Sequence, residues 1–164
     1  MKRLMGFLLC LLLVLGCAGC KDAPEGNPPL NFYYRTASLS FSAGSASIKK
    51  EARDVPEQDS WAQVLNIYLA GPEDSSLRSP FPANLQTVKT TMENKTVYIT
   101  VTRELAALTG LDLTLACSCL ALTCLELTGA QTVVISAEGE LLFGQKSITM
   151  TKDTLLISNT AGGE

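Results

Sequence analysis

The chain reads as an α+β protein, and three observations carry that reading. Between Ser60 and Leu69 the apolar residues recur with a helical period. From Leu85 to Val101 two β-branched runs flank a short polar turn. From Leu113 to Leu127 a second apolar, helix-length stretch ends at Gly129 and is followed by another β-branched run, Gln131 to Ala137. No internal repeat is present. The expected architecture is one domain, with a mostly antiparallel or mixed sheet packed against two helices. At 164 residues there is room for that domain, a leader and a tether, and a core of this size needs no covalent staple.

Residues 1–16 are expected to be a leader outside the fold. Lys2 and Arg3 form a positive start, and Leu4 to Leu15 is an apolar run too short to span a bilayer comfortably. The run ends at Val14-Leu15-Gly16-Cys17, which resembles a bacterial lipobox. That resemblance implies cleavage after Gly16 and a lipid, palmitate included, on Cys17. Cys20 competes for the role behind Ala18-Gly19, but its −3 position is Cys17 and it lies farther from the apolar run. An ordinary signal peptide cut nearby is the plainer reading. Residues 17–30 carry Pro24, Gly26, Pro28 and Pro29 among polar residues and are expected to be a flexible tether. Extended, it would hold a domain roughly 30 Å from the membrane.

The domain is expected over 31–158, with 159–164 a disordered tail. Asn31 to Arg35 is an aromatic-rich strand. Leu39, Phe41 and Ile48 suggest a hairpin turning at Ala43-Gly44-Ser45. Lys49 to Arg53, charged at all but Ala52, reads as a solvated edge strand running out to Val55-Pro56. Ser60-Trp61-Ala62-Gln63 then has the form of a capping box. Trp61, Val64, Leu65, Tyr68 and Leu69 fall on one helix face, and Gly71-Pro72 ends the helix. Five large side chains on that face, each worth roughly 1.5–3 kcal/mol when buried, predict that Trp61→Ala costs several kcal/mol. A polar loop runs from Glu73 to Asn84. Leu85–Thr91 and Thr96–Val101 are strands joined by a turn at Glu93-Asn94-Lys95. Arg103 to Leu108 suggests a short helical turn, and Asp112 is expected to cap the Leu113–Leu127 helix. That helix is apolar all round, so it is expected either between two layers of the domain or against a partner. Beyond Gln131–Ala137, a turn at Glu138-Gly139-Glu140 leads to Leu141–Gly144, and Ser147–Met150 and Thr154–Ile157 are expected edge strands or tail.

The order helix, Leu69-Ala70-Gly71-Pro72, a loop containing Pro82-Ala83-Asn84, and then a hairpin resembles the GerMN domain family of sporulation and spore germination proteins. The aromatic opening strand, Leu122-Thr123-Cys124-Leu125 late in the second helix, and the Glu138-Gly139 turn match the same family. Where the family's second hairpin strand often ends in Asp-Leu-Ser, this chain has Thr102-Arg103-Glu104-Leu105. The resemblance extends to about Leu142. It implies a non-catalytic domain acting in sporulation, germination or the cell envelope. Related ring-forming domains make self-assembly one version of that role.

Composition narrows the chemistry. There is no histidine, which removes the commonest base, metal ligand and pH switch. The formal net charge is −3, from 13 basic and 16 acidic residues, and becomes −5 once Lys2 and Arg3 are set aside. With its basic residues scattered, the chain is not expected to bind nucleic acid. Cys117 and Cys119 point about 200° apart on a helix, and Cys117 and Cys124 are separated by about 10 Å along its axis. Neither pair chelates a metal or forms a disulfide in that geometry, so all three are expected in the core. Glu138 and Glu140, the one carboxylate pair of catalytic form, fall in an exposed turn. Asn94-Lys95-Thr96 has the form of a glycosylation site, which a bacterial lipobox makes irrelevant. No nucleophile elbow and no phosphate loop is present. No catalytic residue, cofactor or metal is expected.

The leading expectation is therefore a lipoprotein anchored through Cys17 on the extracytoplasmic side of the cell membrane, with protein partners or copies of itself. A second is a module binding peptidoglycan or another envelope polymer, with Arg78 and Phe81 in the Glu73–Asn84 loop as its site. A weak carboxylate hydrolase using Glu138 and Glu140 is a third.

Overall fold

A computed structural model describes residues 28–37, 47–56 and 60–155. Cys17 and Cys20, the tether, the turn at Ala43-Gly44-Ser45, and the end of the chain from Leu156 lie outside them.

The fold is α+β, with two sheets rather than one. Strands β1 (Leu30–Thr36), β2 (Ile48–Arg53) and the two-residue β3 (Leu77–Arg78) form the first, in the order β2-β1-β3. The second contains β4 (Thr87–Glu93), β5 (Thr96–Val101), β6 (Thr132–Ala137) and β7 (Ile148–Thr151) in chain order. It is mixed, because β5 and β6 run parallel while the outer pairs are antiparallel. The parallel pair requires a crossover, which is supplied by a 3-10 turn over Arg103–Ala107 and helix α2 (Gly110–Thr128). Helix α1 (Trp61–Leu69) precedes β3.

Each local signal has a structural counterpart. The Ser60 hydroxyl accepts from the Gln63 amide while the Gln63 side chain accepts from the Ser60 amide, so the capping box forms in full. Gly71 follows the helix at φ +111°, a conformation that side chains strain against. Asn94 and Lys95 both take positive φ, 48° and 62°, as a two-residue hairpin turn of the primed type requires. Strand β4 begins two residues later than expected and carries a bulge at Val88. Helix α2 starts at Gly110 with Thr109 as its N-cap, so Asp112 lies in the first turn and is not the cap. A carboxylate there still faces the positive end of the helix dipole. Gly129, at φ 67°, closes the helix in a left-handed cap. The expected strand at Thr154 is a turn as far as Leu155.

The all-round apolarity of α2 follows from its place between the sheets. It packs on β1 of the first sheet and on β6 and β7 of the second. Leu113, Ala116, Cys117, Cys119, Leu120, Ala121, Cys124 and Leu125 are all buried along it. By length and composition α2 is apolar enough to cross a bilayer, yet most of it is buried inside the domain, as a central core helix should be. Helix α1 packs on β4, and its Tyr68 reaches the β1 aromatics.

Candidate functional site

Tyr68 is the hub beneath the Gly71-Pro72 turn. Its ring lies 5.3 Å from Phe32, 5.0 Å from Tyr34 and 5.2 Å, edge-on, from Phe81. It is fully buried, and its hydroxyl donates to the Tyr33 carbonyl at 2.8 Å. Tyr34 in turn donates to the Tyr68 carbonyl, one of the last in α1, also at 2.8 Å. Desolvation holds the Tyr34 and Tyr68 phenols neutral, well above their ordinary range.

Over this hub sits a buried ion pair. Arg53 and Glu51, two residues apart on β2, share one face of the strand, as its period of two requires. Their closest atoms are 2.5 Å apart, and both side chains are less than a tenth exposed. This corrects the expectation of a solvated strand. The edge position of β2 holds, but its charged face is folded inward. The guanidinium donates to the Gly71 carbonyl at 2.9 Å, lies over the Phe32 ring at 5.2 Å, and pairs with Glu73 at 3.4 Å. Glu51 accepts from the Glu73 and Asp74 amides at 2.9 and 2.7 Å. The contacts to Gly71, Glu73 and Asp74 fasten the segment after α1 to the first sheet. The pair is a clamp with its charges internally spent, not an open site.

The loop expected to bind a polymer is largely committed as well. Phe81 packs on Tyr68, and Arg78 donates to the carbonyls of Ser75 and Leu77 at 2.9 and 2.8 Å. Trp61 departs from expectation, being 45% exposed at the first position of α1. Cys117, Cys119 and Cys124 are buried free thiols, and burial raises all three, Cys117 to about 12. Among the described residues no group of three or more metal-ligating side chains converges. Glu138 and Glu140 are exposed in the turn after β6, with Gly139 between them at φ 72°. On the far side of β1, Glu126 of α2 accepts from Asn31 at 2.6 Å and from the Tyr33 hydroxyl, with Lys50 3.7 Å away. Burial, then the Glu126 contact, raises Tyr33 to about 12.

An open, shallow concave surface lies on the outer face of the second sheet. Val97, Ile99, Val101, Val133 and Ile135 point inward and are buried. The alternate residues point outward and form three cross-strand rows, Lys89–Thr100–Ser136, Thr91–Tyr98–Val134 and Glu93–Thr96–Thr132. Residues of all three rows line a shallow cavity of about 320 Å³. Ser136 donates to the Ile99 carbonyl at 3.3 Å, and Thr100 and Ser136 share a hydrogen bond of 3.0 Å. No signal for a site was recognised in these strands at the sequence level. The period-two alternation of Thr, Tyr, Thr with Val, Ile, Val in β5 was the available one.

Comparison with known proteins decides the family. The family model named Germane, described as sporulation and spore germination, matches residues 31–143. The chain belongs to the Germane family. The matched residues take in both helices and all of both sheets except β7 and the first residue of β1. Among solved structures, the tandem GerMN domains of the sporulation protein GerM from Bacillus subtilis are similar in fold, with a TM-score of 0.54 and 18% identity. That match covers 73% of this chain and 43% of the GerM chain, so this Germane chain spans less than half of that relative. A chain from Clostridium perfringens, provisionally described as a lipoprotein, aligns with a TM-score of 0.45 and 12% identity over 77% of this chain and 89% of its own. A search of curated proteins found no match.

Proposed function

We propose that this Germane protein is a lipid-anchored, extracytoplasmic interaction module that serves sporulation, spore germination or the envelope without catalysing a reaction. Residues 1–16 act as the leader, Cys17 takes the lipid, and residues 17–30 tether the domain to the outer side of the membrane. The observation that carries the reading is the match of the Germane model to residues 31–143, downstream of a Gly16-Cys17 sequence that resembles a lipobox. The fate of the buried polar groups supports it. Arg53, Glu51, Tyr34 and Tyr68 bond to one another and to backbone, so the domain spends its ionisable interior on rigidity and offers partners its surfaces. Protein partners, or further copies of the chain, are the expected ligands.

The test is genetic and topological together. Spore yield and germination rate are compared between a deletion strain and strains complemented with the full chain or with Cys17→Ser. The full chain should restore the deletion defect, and Cys17→Ser should not, its product leaving the membrane fraction. A deletion strain indistinguishable from its parent in both assays would overturn the role. Restoration by a soluble Cys17→Ser product would overturn the need for the anchor.

A further inference from the structure

We propose that Arg35 and Arg78 form a binding site for a phosphate monoester. The site goes beyond the anchored-module reading and does not depend on it. Strands β1 and β3 run antiparallel with Arg35 directly opposite Arg78. Both side chains therefore project from one face of the first sheet, with Cβ atoms about 5 Å apart. By the alternation of β1 this is the face of Tyr33, opposite the Phe32 and Tyr34 face that carries the Arg53 clamp. Like charges placed directly across a ladder repel. Ile48, opposite Arg35 on its other side, brings no charge to offset them.

The carboxylates of the surrounding elements are engaged elsewhere. Glu126 of α2 accepts from Asn31 and Tyr33 and pairs with Lys50. Glu51 and Glu73 pair with Arg53, and Asp74 accepts from the Ser76 amide. The other acid of α2, Asp112, lies seven residues before Cys119, the α2 residue that feels the Arg35 charge, or about 10 Å along the axis. Residues 37–46, which follow Arg35 in the chain, contain no acid. Among the described residues no ion pair includes Arg35 or Arg78.

Arg35 is half-buried, yet its guanidinium reaches no acceptor among the described residues, and none of its nitrogens is sealed from solvent. An arginine withdrawn from water in this way is ordinarily paired. Arg78 is exposed, and its Nη1 is held by the Ser75 and Leu77 carbonyls at 2.9 and 2.8 Å. That fixes the plane of the fork and leaves Nε and Nη2 to donate. The two positive charges choose the ligand. A phosphate monoester carries close to two negative charges at neutral pH and three acceptor oxygens, so it meets both forks. A carboxylate brings one charge and two oxygens and leaves one arginine uncompensated. The same group occurs free, as in glycerol 3-phosphate, and on a lipid, as in phosphatidic acid.

The test is titration of the full chain in non-ionic micelles with glycerol 3-phosphate, followed by phosphorus NMR line width and by melting temperature. The phosphorus signal should broaden saturably at millimolar ligand. Arg35→Gln and Arg78→Gln should each weaken binding about tenfold. Without ligand neither variant should melt below the parent, because the repulsion is relieved. Arg78→Lys, which keeps the charge but not the fork, should weaken binding about fivefold. Phosphatidic acid added to the micelles distinguishes the two sources: displacement of glycerol 3-phosphate supports a lipid head group, and no displacement supports a soluble ester. An unbroadened signal at millimolar ligand would overturn the proposal, as would equal affinity for acetate. Binding unchanged by Arg35→Gln would overturn it by placing the anion elsewhere. Ligand-free melting lowered in both Gln variants would overturn it by making the arginines structural.

Discussion

Arg53→Ala would leave the Glu51 carboxylate buried with its cation removed, and breaking a buried pair in this way costs about 3–5 kcal/mol. Urea unfolding should show that loss, whereas exposed Trp61→Ala should cost less than about 1 kcal/mol. A Trp61→Ala loss as large as that of Arg53→Ala would contradict the burial pattern. The Trp61 result also marks where residue-level reading failed. Periodicity gives a side chain's angle around the helix axis, but not where along that axis the partner surface ends, and Trp61 is the first helical residue. Burial passes instead to Val64, Leu65, Tyr68 and Leu69, four of the five expected. The clamp was missed for a related reason. Five charged or small residues in a row look solvated, yet the opposite charges of Glu51 and Arg53 at i, i+2 share one strand face, which is the pattern of a pair turned inward.

At the scale of elements, α2 is the member that both sheets need. Its face toward β1 is pinned by Thr123, fully buried, whose hydroxyl accepts from the Tyr33 amide at 2.9 Å. Thr123→Val keeps the volume but strands that amide, a loss of about 1–3 kcal/mol in urea unfolding; an unchanged midpoint would mean the bond is dispensable. The turn after α1 makes a similar demand. At φ +111° Gly71 has space for a Cβ, with Ser79 the nearest atom at 3.8 Å, so Gly71→Ala should destabilise through backbone strain alone, by about 1 kcal/mol or more. The existence and kind of these elements were legible in the sequence, from the capping box, the Gly-Pro stop, the Asn-Lys turn and Gly129. The second sheet was not. Two strands that pair with different neighbours look alike in one dimension, and it is the packing of α2 on β1 on one side and on β6 and β7 on the other that sets the two sheets apart. The starting residue of α2 was misread because Asp112 has the chemistry of a cap, while Thr109 holds the position without a side-chain bond.

At the scale of the whole molecule, stability should be flat through neutral pH and fall steeply in alkali. Cys117, Cys119 and Cys124 ionise near 9 when free and are raised by burial, and Tyr33, Tyr34 and Tyr68 are raised from 10. The folded state therefore holds these protons more tightly, and the stability they supply, whole below pH 9, is lost as pH climbs toward the folded values. Three thiols titrating together give a slope on the order of 4 kcal/mol per pH unit. Melting temperatures from pH 7 to 11 check this, and a flat profile to pH 11 would contradict the buried thiols. The same thiols should resist a disulfide reagent until the domain unfolds. The absence of histidine leaves acidic pH to the carboxylates alone.

The proposed work of a rigid Germane domain at the membrane, held there by an N-terminal lipid, is checked by the mass of the mature protein extracted from membranes. The expected mass is that of a chain that begins at Cys17, carries a diacylglyceryl adduct on that residue, and has the three thiols of α2 unmodified. A soluble chain with an unmodified N-terminus, cut elsewhere or not at all, would contradict it.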